Sequence, residues 1–461
     1  MNAFEHAQAH YETHVAQLKE LVSIPSVSTL PEHRADMQRA AEWLADNLRS
    51  GGMDRVEVMP TGGHPVVYAE WLRAPGAPTV LVYGHYDVQP PDPLDEWHSP
   101  PFEPTIRDGD LYARGATDDK GQLFIHAKAV ESLLDAEGAL PVNVKFLLEG
   151  EEEIGSAHLD AFIEAHLDLL AADTAVISDS PIWSREQPSI VYGVRGMAYM
   201  EVEVRGPRAD LHSGAYGGTV HNPAQALCEI IAALHNPDCS VAVPGFYDRV
   251  RAIDDDERAA LARLPWTEAK WRAETGAPRP WGEAAYSLPE RLGVRPTLEV
   301  NGIVGGFIGA GAKTIIPSKA VAKVSCRLVP DQEPAEIYQL VRDHIATLAP
   351  DTVEVEVRYL HGGRPAVMDL DVPAMRAATA AYQAVFGAAP IFTREGGTIP
   401  VLSTLQHTLG LPVVMMGFGL PDDNVHSPNE KFTLENFRRG IQTAIHFYKG
   451  LAKQHRESTA P

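Results

Sequence analysis

Five short segments of the chain combine acidic residues or histidine next to strand-like or loop sequence. They are Gly84-His85-Tyr86-Asp87, Asp118-Asp119-Lys120-Gly121, Glu151-Glu152-Glu153, Ser178-Asp179-Ser180 and Val425-His426-Ser427. Imidazole and carboxylate groups are typical ligands of zinc-like cations in proteins. Carboxylates that converge in a buried site repel one another unless cations lie between them. We therefore interpret the five segments together as a site for a pair of divalent cations.

His85 and Asp87 lie two residues apart at the predicted end of a strand, so their side chains point to the same face. Asp87 can then accept a hydrogen bond from the far ring nitrogen of a metal-bound His85 and fix its tautomer. Asp118 precedes a predicted helix. Its carboxylate has two oxygens and can bridge two cations, although capping the helix is the simpler interpretation of an isolated aspartate there.

An acidic run follows another apolar stretch and places carboxylates at positions 149, 151, 152 and 153. Adjacent glutamates in such a run can divide their roles, because one binds a cation while its neighbour accepts a proton from the attacking water. Asp179 follows a third apolar run, and His426 lies in a polar turn far along the chain. Each of these two residues is a weak signal alone.

A count of charges favours the cation pair. With Asp118, Glu153 and Asp179 as ligands, and with His85 and His426 neutral, the ligand set carries three negative charges. A bridging hydroxide adds one more, and two divalent cations then bring the site close to neutrality. Nitrogen and oxygen ligands without thiolate favour zinc, with manganese or cobalt as alternatives. We therefore expect two zinc ions per subunit.

The elements that must position these residues follow from the hydrophobic pattern. Helical spacing covers 4–23, 33–49 and 121–136, and strand-like runs cover 55–58, 66–69, 79–83, 142–148 and 174–177. This alternation predicts an α/β fold with a mainly parallel sheet, and ligands of such sheets bind outside the carboxyl ends of the strands. After residue 193 the pattern changes to alternating strands at 200–204, 320–326 and 353–357, with helices at 222–235 and 335–348. We interpret 1–197 and 365–461 as one domain and 198–364 as an inserted α+β domain.

Composition excludes some function classes. The chain has 461 residues and a formal net charge of -23, which argues against nucleic acid and anionic membranes as partners. We find neither a secretory signal nor an apolar run of the roughly 20 residues that span a bilayer. The three cysteines match neither a disulfide framework nor a thiolate zinc site. We therefore expect a soluble cytoplasmic protein.

Several longer motifs accompany the five segments: Gly84-His85-Tyr86-Asp87-Val88-Gln89-Pro90, Thr117-Asp118-Asp119-Lys120-Gly121, Asp210-Leu211-His212-Ser213-Gly214, Lys313-Thr314-Ile315-Ile316-Pro317 and Arg394-Glu395-Gly396-Gly397-Thr398-Ile399-Pro400. Over nearly the whole chain the set resembles the co-catalytic zinc peptidase family of carnosine dipeptidases, glutamate carboxypeptidases, aminoacylases and succinyl-diaminopimelate desuccinylases. It is most similar to the branch of cytosolic non-specific and carnosine dipeptidases. The resemblance implies a catalytic domain of zinc-peptidase (phosphorylase/hydrolase-like) architecture and an inserted lid and dimerisation domain, in a homodimer.

The resemblance also implies roles for individual residues. His85 and Asp179 would hold one metal, Glu153 and His426 the other, and Asp118 would bridge them with a cis peptide bond to Asp119. Glu152 would be the general base, Asp87 would orient His85, and His212 would reach the tetrahedral intermediate across the dimer interface. The substrate carboxylate and amine would meet the remaining residues: Arg327, Thr314, Gly397 and Thr398 for the carboxylate, and Glu395 for the amine.

The acidic run departs from the family pattern, because it has three glutamates before Ile154-Gly155-Ser156 where two are expected. Aligning the run on Gly155-Ser156 makes Glu152 the base and Glu153 the ligand, and leaves Glu151 without a role.

The function that this resemblance implies is that of a hydrolase, a metal-binding protease of the dipeptidase type. It would cleave the amide bond of small peptides by a hydroxide that bridges two divalent cations, with Glu152 as general base. An N-acyl amino-acid deacylase or a carboxypeptidase of the same family is the alternative, since a deacylase needs only the substrate carboxylate. Glu395 favours the dipeptidase because it suits a free amine. A catalytically dead scaffold is disfavoured, because every expected ligand and the base are present.

Overall fold

The apolar runs of the sequence become strands and the amphipathic runs become helices in the computed structural model, which describes residues 1–397 and 399–459. The strands are β1 Arg55–Met59, β2 Val66–Trp71, β3 Thr79–His85, β4 Thr105–Arg107, β5 Asp110–Tyr112, β6 Asn143–Glu149, β7 Thr174–Ile177, β8 Ser189–Val194, β9 Gly196–Arg205, β10 Leu211–His212, β11 Thr297–Gly305, β12 Ile315–Ile316, β13 Lys319–Leu328, β14 Glu354–Gly363, β15 Ala366–Val367, β16 Ile391–Glu395, β17 Val413–Met415 and β18 Lys431–Thr433.

The helices are α1 Ala3–Ala9, α2 Tyr11–Val22, α3 Arg34–Ser50, α4 Lys120–Glu137, α5 Leu159–Ala165, α6 Leu167–Leu170, α7 Ser213–Tyr216, α8 Pro223–Ala232, α9 Asp255–Ala262, α10 Glu268–Thr275, α11 Leu288–Gly293, α12 Pro334–Leu348, α13 Pro373–Phe386, α14 Pro400–His407 and α15 Leu434–Thr459. Short 3-10 turns cover Pro31–His33, Leu94–Glu96 and Glu152–Ile154. None of the helices in the described part of the chain is long and apolar enough to cross a membrane.

The first of two units comprises Met1–Tyr192, Met368–Phe392 and the chain from Pro400 onward. Its sheet has the strand order β1-β2-β6-β3-β7-β17-β8, in which β6, β3, β7 and β17 are parallel neighbours. Parallel strands are buried on both faces, which is why the residues of β3 and β6 form nearly continuous apolar runs. The predicted α/β class with a mainly parallel sheet is confirmed.

The register of the parallel strands brings their carboxyl ends to one edge. His85 at the end of β3 pairs with Glu149 at the end of β6, and Tyr83 of β3 pairs with Ile177 at the end of β7. The segments that follow these strands therefore start side by side. Helix α4 packs next to this edge and is buried along most of its length.

The second unit comprises Gly193–Val367 and Thr393–Ile399. It contains a four-stranded antiparallel sheet in the order β11-β13-β9-β14 and a two-stranded sheet of β10 and β12. Its core lies between the four-stranded sheet and helices α8 and α12, with Val202, Leu227 and Val341 fully buried there. The alternation of the predicted strands at 200–204 and 320–326 matches one such buried face.

The boundaries of the insertion differ from the predicted 198–364. The second unit begins at Gly193, and it also takes in 393–399, which we had predicted to belong to the other domain. Two contacts explain this difference. The Arg195 main-chain N–H donates to the Glu395 carbonyl oxygen over 3.1 Å. A Cβ atom added to Gly293 would lie 2.6 Å from the Arg394 Cβ, so these two segments pack backbone against side chain.

Gly121 in the first turn of α4 provides a test of the packing that positions the Asp118 segment. A Cβ atom there would lie 2.0 Å from the Ala116 carbonyl oxygen and 2.7 Å from Phe432. We expect Gly121→Ala to lower the free energy of unfolding by about 1–3 kcal/mol, the usual cost of overpacking. Chemical denaturation followed by circular dichroism measures this change.

Gly450→Ala is the matched control. Gly450 also lies within a helix, α15, but its nearest neighbours are 3.7 Å or more from an added Cβ. The better helix propensity of alanine predicts an unchanged or higher stability, by up to about 1 kcal/mol. Equal destabilisation by the two substitutions would contradict the packing argument.

Candidate metal centre

Three of the predicted ligands meet at the carboxyl edge of the sheet. His85 ends β3, Asp179 follows the neighbouring parallel strand β7, and Asp118 precedes α4. The His85 Nε2 atom lies 3.0 Å from Asp118 Oδ1 and 3.8 Å from Asp179 Oδ2. One ligand atom from each residue therefore falls within 4.8 Å of the others, close enough to surround one cation.

A second triad shares Asp118. The His426 Nε2 atom lies 2.9 Å from Asp118 Oδ2 and 3.2 Å from Glu153 Oε2. His426 is half-exposed and adopts a left-handed φ of 61°, which turns its ring toward the carboxylates. Asp118 thus directs Oδ1 to the first triad and Oδ2 to the second. These are the two possible metal-binding groups within the described residues.

The tautomer of His85 indicates that this donor set fits a cation. Its Nδ1 atom lies 3.1 Å from the Asp87 carbonyl oxygen, which can only accept a hydrogen bond, so Nδ1 carries the proton. The Nε2 atom then faces the oxygens of Asp118 and Asp179. A neutral ring would meet them with a lone pair, which is repulsive unless a positive charge, either a proton or a cation, lies between the three groups.

The pKa values point the same way. Burial raises the pKa of Asp179 to about 7, and the charge of Asp118 adds to this effect. Hydrogen bonds to Asp118 and Glu153 raise the pKa of His426 to about 10. Burial lowers the pKa of His85, but the hydrogen bonds to Asp118 and Asp87 outweigh it and hold the pKa well above its usual value. The cluster draws protons because its carboxylates outnumber its positive charges, and bound cations would take the place of those protons.

The acidic turn after β6 is organised by Asp87. Its two carboxylate oxygens accept the main-chain N–H groups of Glu152 and Glu153 over 3.2 and 3.1 Å. The same carboxylate is close to the His85 ring: its Oδ1 lies 3.4 Å from Nδ1, and the Asp87 main-chain oxygen lies 3.1 Å from that atom. Asp87 therefore contacts both His85 and the glutamate turn.

The three glutamates of the turn point to different partners. Glu151 faces away from both triads, with Oε1 accepting the His64 main-chain N–H over 3.1 Å and Oε2 2.7 Å from His158 Nδ1. Glu153 joins the second triad. Burial raises the pKa of Glu152 to about 8, so its carboxyl group can hold a proton near neutral pH.

The structure also shows contacts around the site that the sequence analysis missed. The Gln89 amide donates to Glu153 Oε2 over 2.8 Å, and Asp119 Oδ2 accepts the His85 main-chain N–H over 3.2 Å. Glu430 and Asp423 contact the segment that precedes Asp118. Gln89 belongs to the first long motif and could have been singled out there. The contacts of Asp119 and Glu430 involve main-chain groups, which leave no pattern of residue types, and Asp423 accepts the Thr117 hydroxyl. The peptide bond between Asp118 and Asp119 is cis.

The remaining predicted residues belong to the second unit. His212 is exposed at the end of β10, and its Nδ1 accepts the Gly214 main-chain N–H over 3.0 Å. Thr314 lies beside it, since the Ser213 N–H donates to the Thr314 carbonyl oxygen over 3.1 Å. Arg327 lies on β13 opposite Thr297 of β11.

Arg327 and Arg195 line a cavity of about 390 Å³ within this unit. Glu395 is held next to Arg195 through its carbonyl oxygen. Gly397 is exposed, and Thr398 lies outside the described residues.

Comparison with known proteins identifies the family of this chain. Residues 81–449 match the model of Peptidase family M20/M25/M40. The chain is 34% identical to the Cys-Gly metallodipeptidase dug1 of Schizosaccharomyces pombe over 458 residues, 95% of each chain. Human carnosine dipeptidase 1 has a similar structure, with a TM-score of 0.83, 33% identity and 98% of each chain covered. The metallo-carboxypeptidase Sso-CP2 of Sulfolobus solfataricus gives a TM-score of 0.85 at 32% identity, covering 95% of this chain and 99% of that one.

The chain belongs to Peptidase family M20/M25/M40. This confirms the resemblance inferred from the motifs and, with it, the predicted class of metal-dependent hydrolase and the peptidase fold of this family. Dependence on a divalent metal follows from that membership.

Because Asp118 takes part in both triads and His426 in one, their variants should differ in metal content. We expect His426→Ala to weaken one cation site by at least about 100-fold, more than the usual effect of residues behind the ligands, and to spare the other. Asp118→Ala should weaken both sites. Metal analysis after equilibration with buffered zinc measures the difference.

Asp168→Ala, an exposed aspartate at the start of α6, is the control and should keep the wild-type content. If Asp118→Ala holds as much metal as the control, Asp118 is not a ligand shared by the two sites.

Proposed function

We propose that the protein is a dipeptidase that works with two divalent cations per subunit. Zinc fits the nitrogen and oxygen ligands best, and manganese or cobalt are alternatives. The observation that carries the proposal is that Asp118 presents one oxygen to each of two triads. His85 and Asp179 would hold one cation, Glu153 and His426 the other, and Asp118 both.

The bound cations would polarise the scissile carbonyl and lower the pKa of water at the site. The other roles fall to the protein. Glu152 takes the proton of the attacking water and returns it to the leaving amine. Asp87 holds Glu152 in place through the main-chain N–H group and fixes the tautomer of His85.

We assign the substrate termini to residues of the second unit, which we propose to act as the lid and dimerisation domain of the enzyme. Arg327, Thr314, Gly397 and Thr398 would hold the carboxylate, and Glu395 the free amine. The support is local charge, because arginines outnumber acidic residues in the lining of one cavity of a chain whose net charge is -23. That lining contains Arg195, Arg291, Arg295, Arg327, Glu283 and Glu299. An anionic group of the substrate is attracted to such a cavity.

The activities for which the relatives are named favour a dipeptide as substrate. These relatives include the Cys-Gly metallodipeptidase dug1 and the Beta-Ala-His dipeptidase, both of which match along almost their full lengths. The similarity to the metallo-carboxypeptidase Sso-CP2 makes carboxypeptidase activity the second candidate. An N-acyl amino-acid deacylase is the third candidate. It is weaker than the dipeptidase, because Glu395 suits a free amine and the substrate of a deacylase has none.

A substrate panel with the zinc-loaded protein tests the proposal. We expect cleavage of unblocked dipeptides such as Ala-Ala, Cys-Gly and β-Ala-His, with little cleavage of N-acetyl amino acids. Glu152→Ala should keep its metal and lose about 100- to 10,000-fold in turnover, the usual contribution of a general base.

Glu164→Ala, an exposed glutamate of α5, is the control and should retain wild-type turnover. Faster cleavage of N-acetyl amino acids than of dipeptides would replace the dipeptidase with a deacylase. Release of C-terminal residues from longer peptides would favour the carboxypeptidase. Wild-type turnover by Glu152→Ala would remove its role as base.

We further propose a homodimer in which His212 of one subunit serves the active site of the other. Strand β11 is at the edge of the four-stranded sheet, and it exposes apolar side chains there and in the following loop: Val300, Ile303, Val304, Phe307 and Ile308. Exposed apolar strand edges usually mark association surfaces. Since His212 Nδ1 accepts a hydrogen bond, its Nε2 carries a proton that can stabilise an oxyanion.

Mixing two inactive variants tests this arrangement. His212→Ala and Glu152→Ala should each form dimers of low turnover. After subunit exchange, half of the dimers are mixed and each has one site with both groups, so about one quarter of wild-type activity should return. Size-exclusion chromatography verifies the dimers. A mixture that stays inactive after proven exchange would place His212 outside catalysis in trans.

We also propose a cytoplasmic location. Cys228, Cys239 and Cys326 all lie in the described part of the chain and are unpaired, as is usual in a reducing compartment.

A further inference from the structure

A buried carboxylate lies behind the bridging aspartate. The side chain of Glu430 has no exposed surface, and its Oε1 accepts the main-chain N–H groups of Thr117 and Asp118 over 2.9 and 3.1 Å. Its Oε2 accepts the Gly115 N–H and the Arg114 Nη1 over 2.8 Å each. Each oxygen therefore has two donors, and three of the four donors are main-chain groups of the segment that ends at Asp118.

Arg114 holds Glu430 in place by an ion pair. It is almost completely buried, it supplies the charge that balances Glu430, and its Nη2 donates to the Pro90 carbonyl oxygen over 3.3 Å. Buried charges are costly unless they are paired and hydrogen-bonded, and here the two charges are paired while both Glu430 oxygens and the two terminal Arg114 nitrogens form hydrogen bonds. The pair is not needed to cap a helix or to close a sheet edge, since its other partners are loop atoms.

The same contacts tie the Asp118 segment to the segment that carries His426. The Ala113 N–H donates to the Glu430 carbonyl oxygen over 3.1 Å. Asp423 adds a second connection, because its Oδ2 accepts the Thr117 hydroxyl over 2.9 Å and the Leu420 N–H over 2.7 Å. Residues 113–118 and 420–430 are thereby joined at both ends of the loop that contains His426.

We propose that Glu430 is a positioning residue of the metal centre. By fixing the main-chain N–H groups of 115, 117 and 118, it sets the orientation of the Asp118 carboxylate, so that one oxygen faces His85 and the other faces His426. The inference rests on the proposed two-cation centre. It extends that proposal to a residue that touches neither cation nor substrate.

Glu430→Gln tests the inference. The amide has the same shape, but one acceptor oxygen becomes an NH2 donor that faces N–H or guanidinium donors, so the Asp118 segment must shift. We expect binding of cobalt to weaken by about 10- to 100-fold, the usual effect of residues that orient metal ligands. Competition with a chelator measures this affinity. The visible absorption bands of the cobalt-loaded protein should also change, because they report ligand geometry.

Loss of the buried charge also leaves Arg114 unpaired, which lowers stability by itself. The double variant Arg114→Met/Glu430→Gln removes both charges and should fold, since replacing a buried ion pair as a unit is often tolerated. Metal-free stability should recover in this variant, whereas the weakened cobalt affinity and the altered spectrum should remain. If Glu430 contributed to stability alone, the double variant would recover its stability, its cobalt affinity and its absorption spectrum together.

Glu290→Gln is the matched control. Glu290 is also a buried glutamate paired with an arginine, with its Oε1 2.5 Å from Arg258 Nη1, but it belongs to the second unit. This variant should lose stability and keep wild-type cobalt affinity. Suppose that the wild type binds two cobalt ions and that both Glu430 variants match its affinity and spectrum. Glu430 is then structural, and the inference fails while the proposed function stands. If the wild type binds no metal, the proposed function fails as well.

Discussion

The repulsion among carboxylates at the carboxyl edge of the sheet is the constraint on which the site depends. Asp118, Glu153 and Asp179 are drawn together by the ends of β6 and β7 and by the start of α4, and the imidazoles of His85 and His426 lie next to them. A fold that forces such groups together needs a positive charge to offset their repulsion. The raised pKa values of Asp179 and His426 show that bound protons offset part of this repulsion, and divalent cations would offset more of it.

The surrounding contacts resist this repulsion with directed hydrogen bonds. Asp87 receives the N–H groups of the glutamate turn, and Glu430 receives those of the Asp118 segment. Both carboxylates are themselves buried and acidic, so they add negative charge near the centre while they hold its loops. Their charge is neutralised by main-chain dipoles and, for Glu430, by Arg114. The ligands can therefore stay close before any cation is bound.

Much of this fold could be predicted because its strands are buried on both faces. The apolar runs at 79–83, 142–148 and 174–177 became β3, β6 and β7, and the edge where they end follows from parallel pairing. The first predicted helix, 4–23, is in fact two helices that meet at His10. The short helices α9 to α11 were not predicted, since their hydrophobic pattern is weak and interrupted by prolines and charges.

Less of the site than of the fold could be predicted from the sequence. Histidine and acidic clusters marked the ligands, because metal binding restricts residue type. Glu430 and Asp423 left no such mark, since what they bind is mainly main-chain N–H, which every residue but proline offers. The same reason hid the pairing of 393–399 with the second unit, which depends on the Arg195 N–H and on the absence of a side chain at Gly293.

The histidines of the two triads differ in their access to water. The His85 side chain is fully enclosed, whereas 53% of the His426 side chain is exposed, in a turn held by a left-handed backbone. A cation held by the second triad would therefore meet solvent on its histidine side, whereas one held by the first triad would be shielded there.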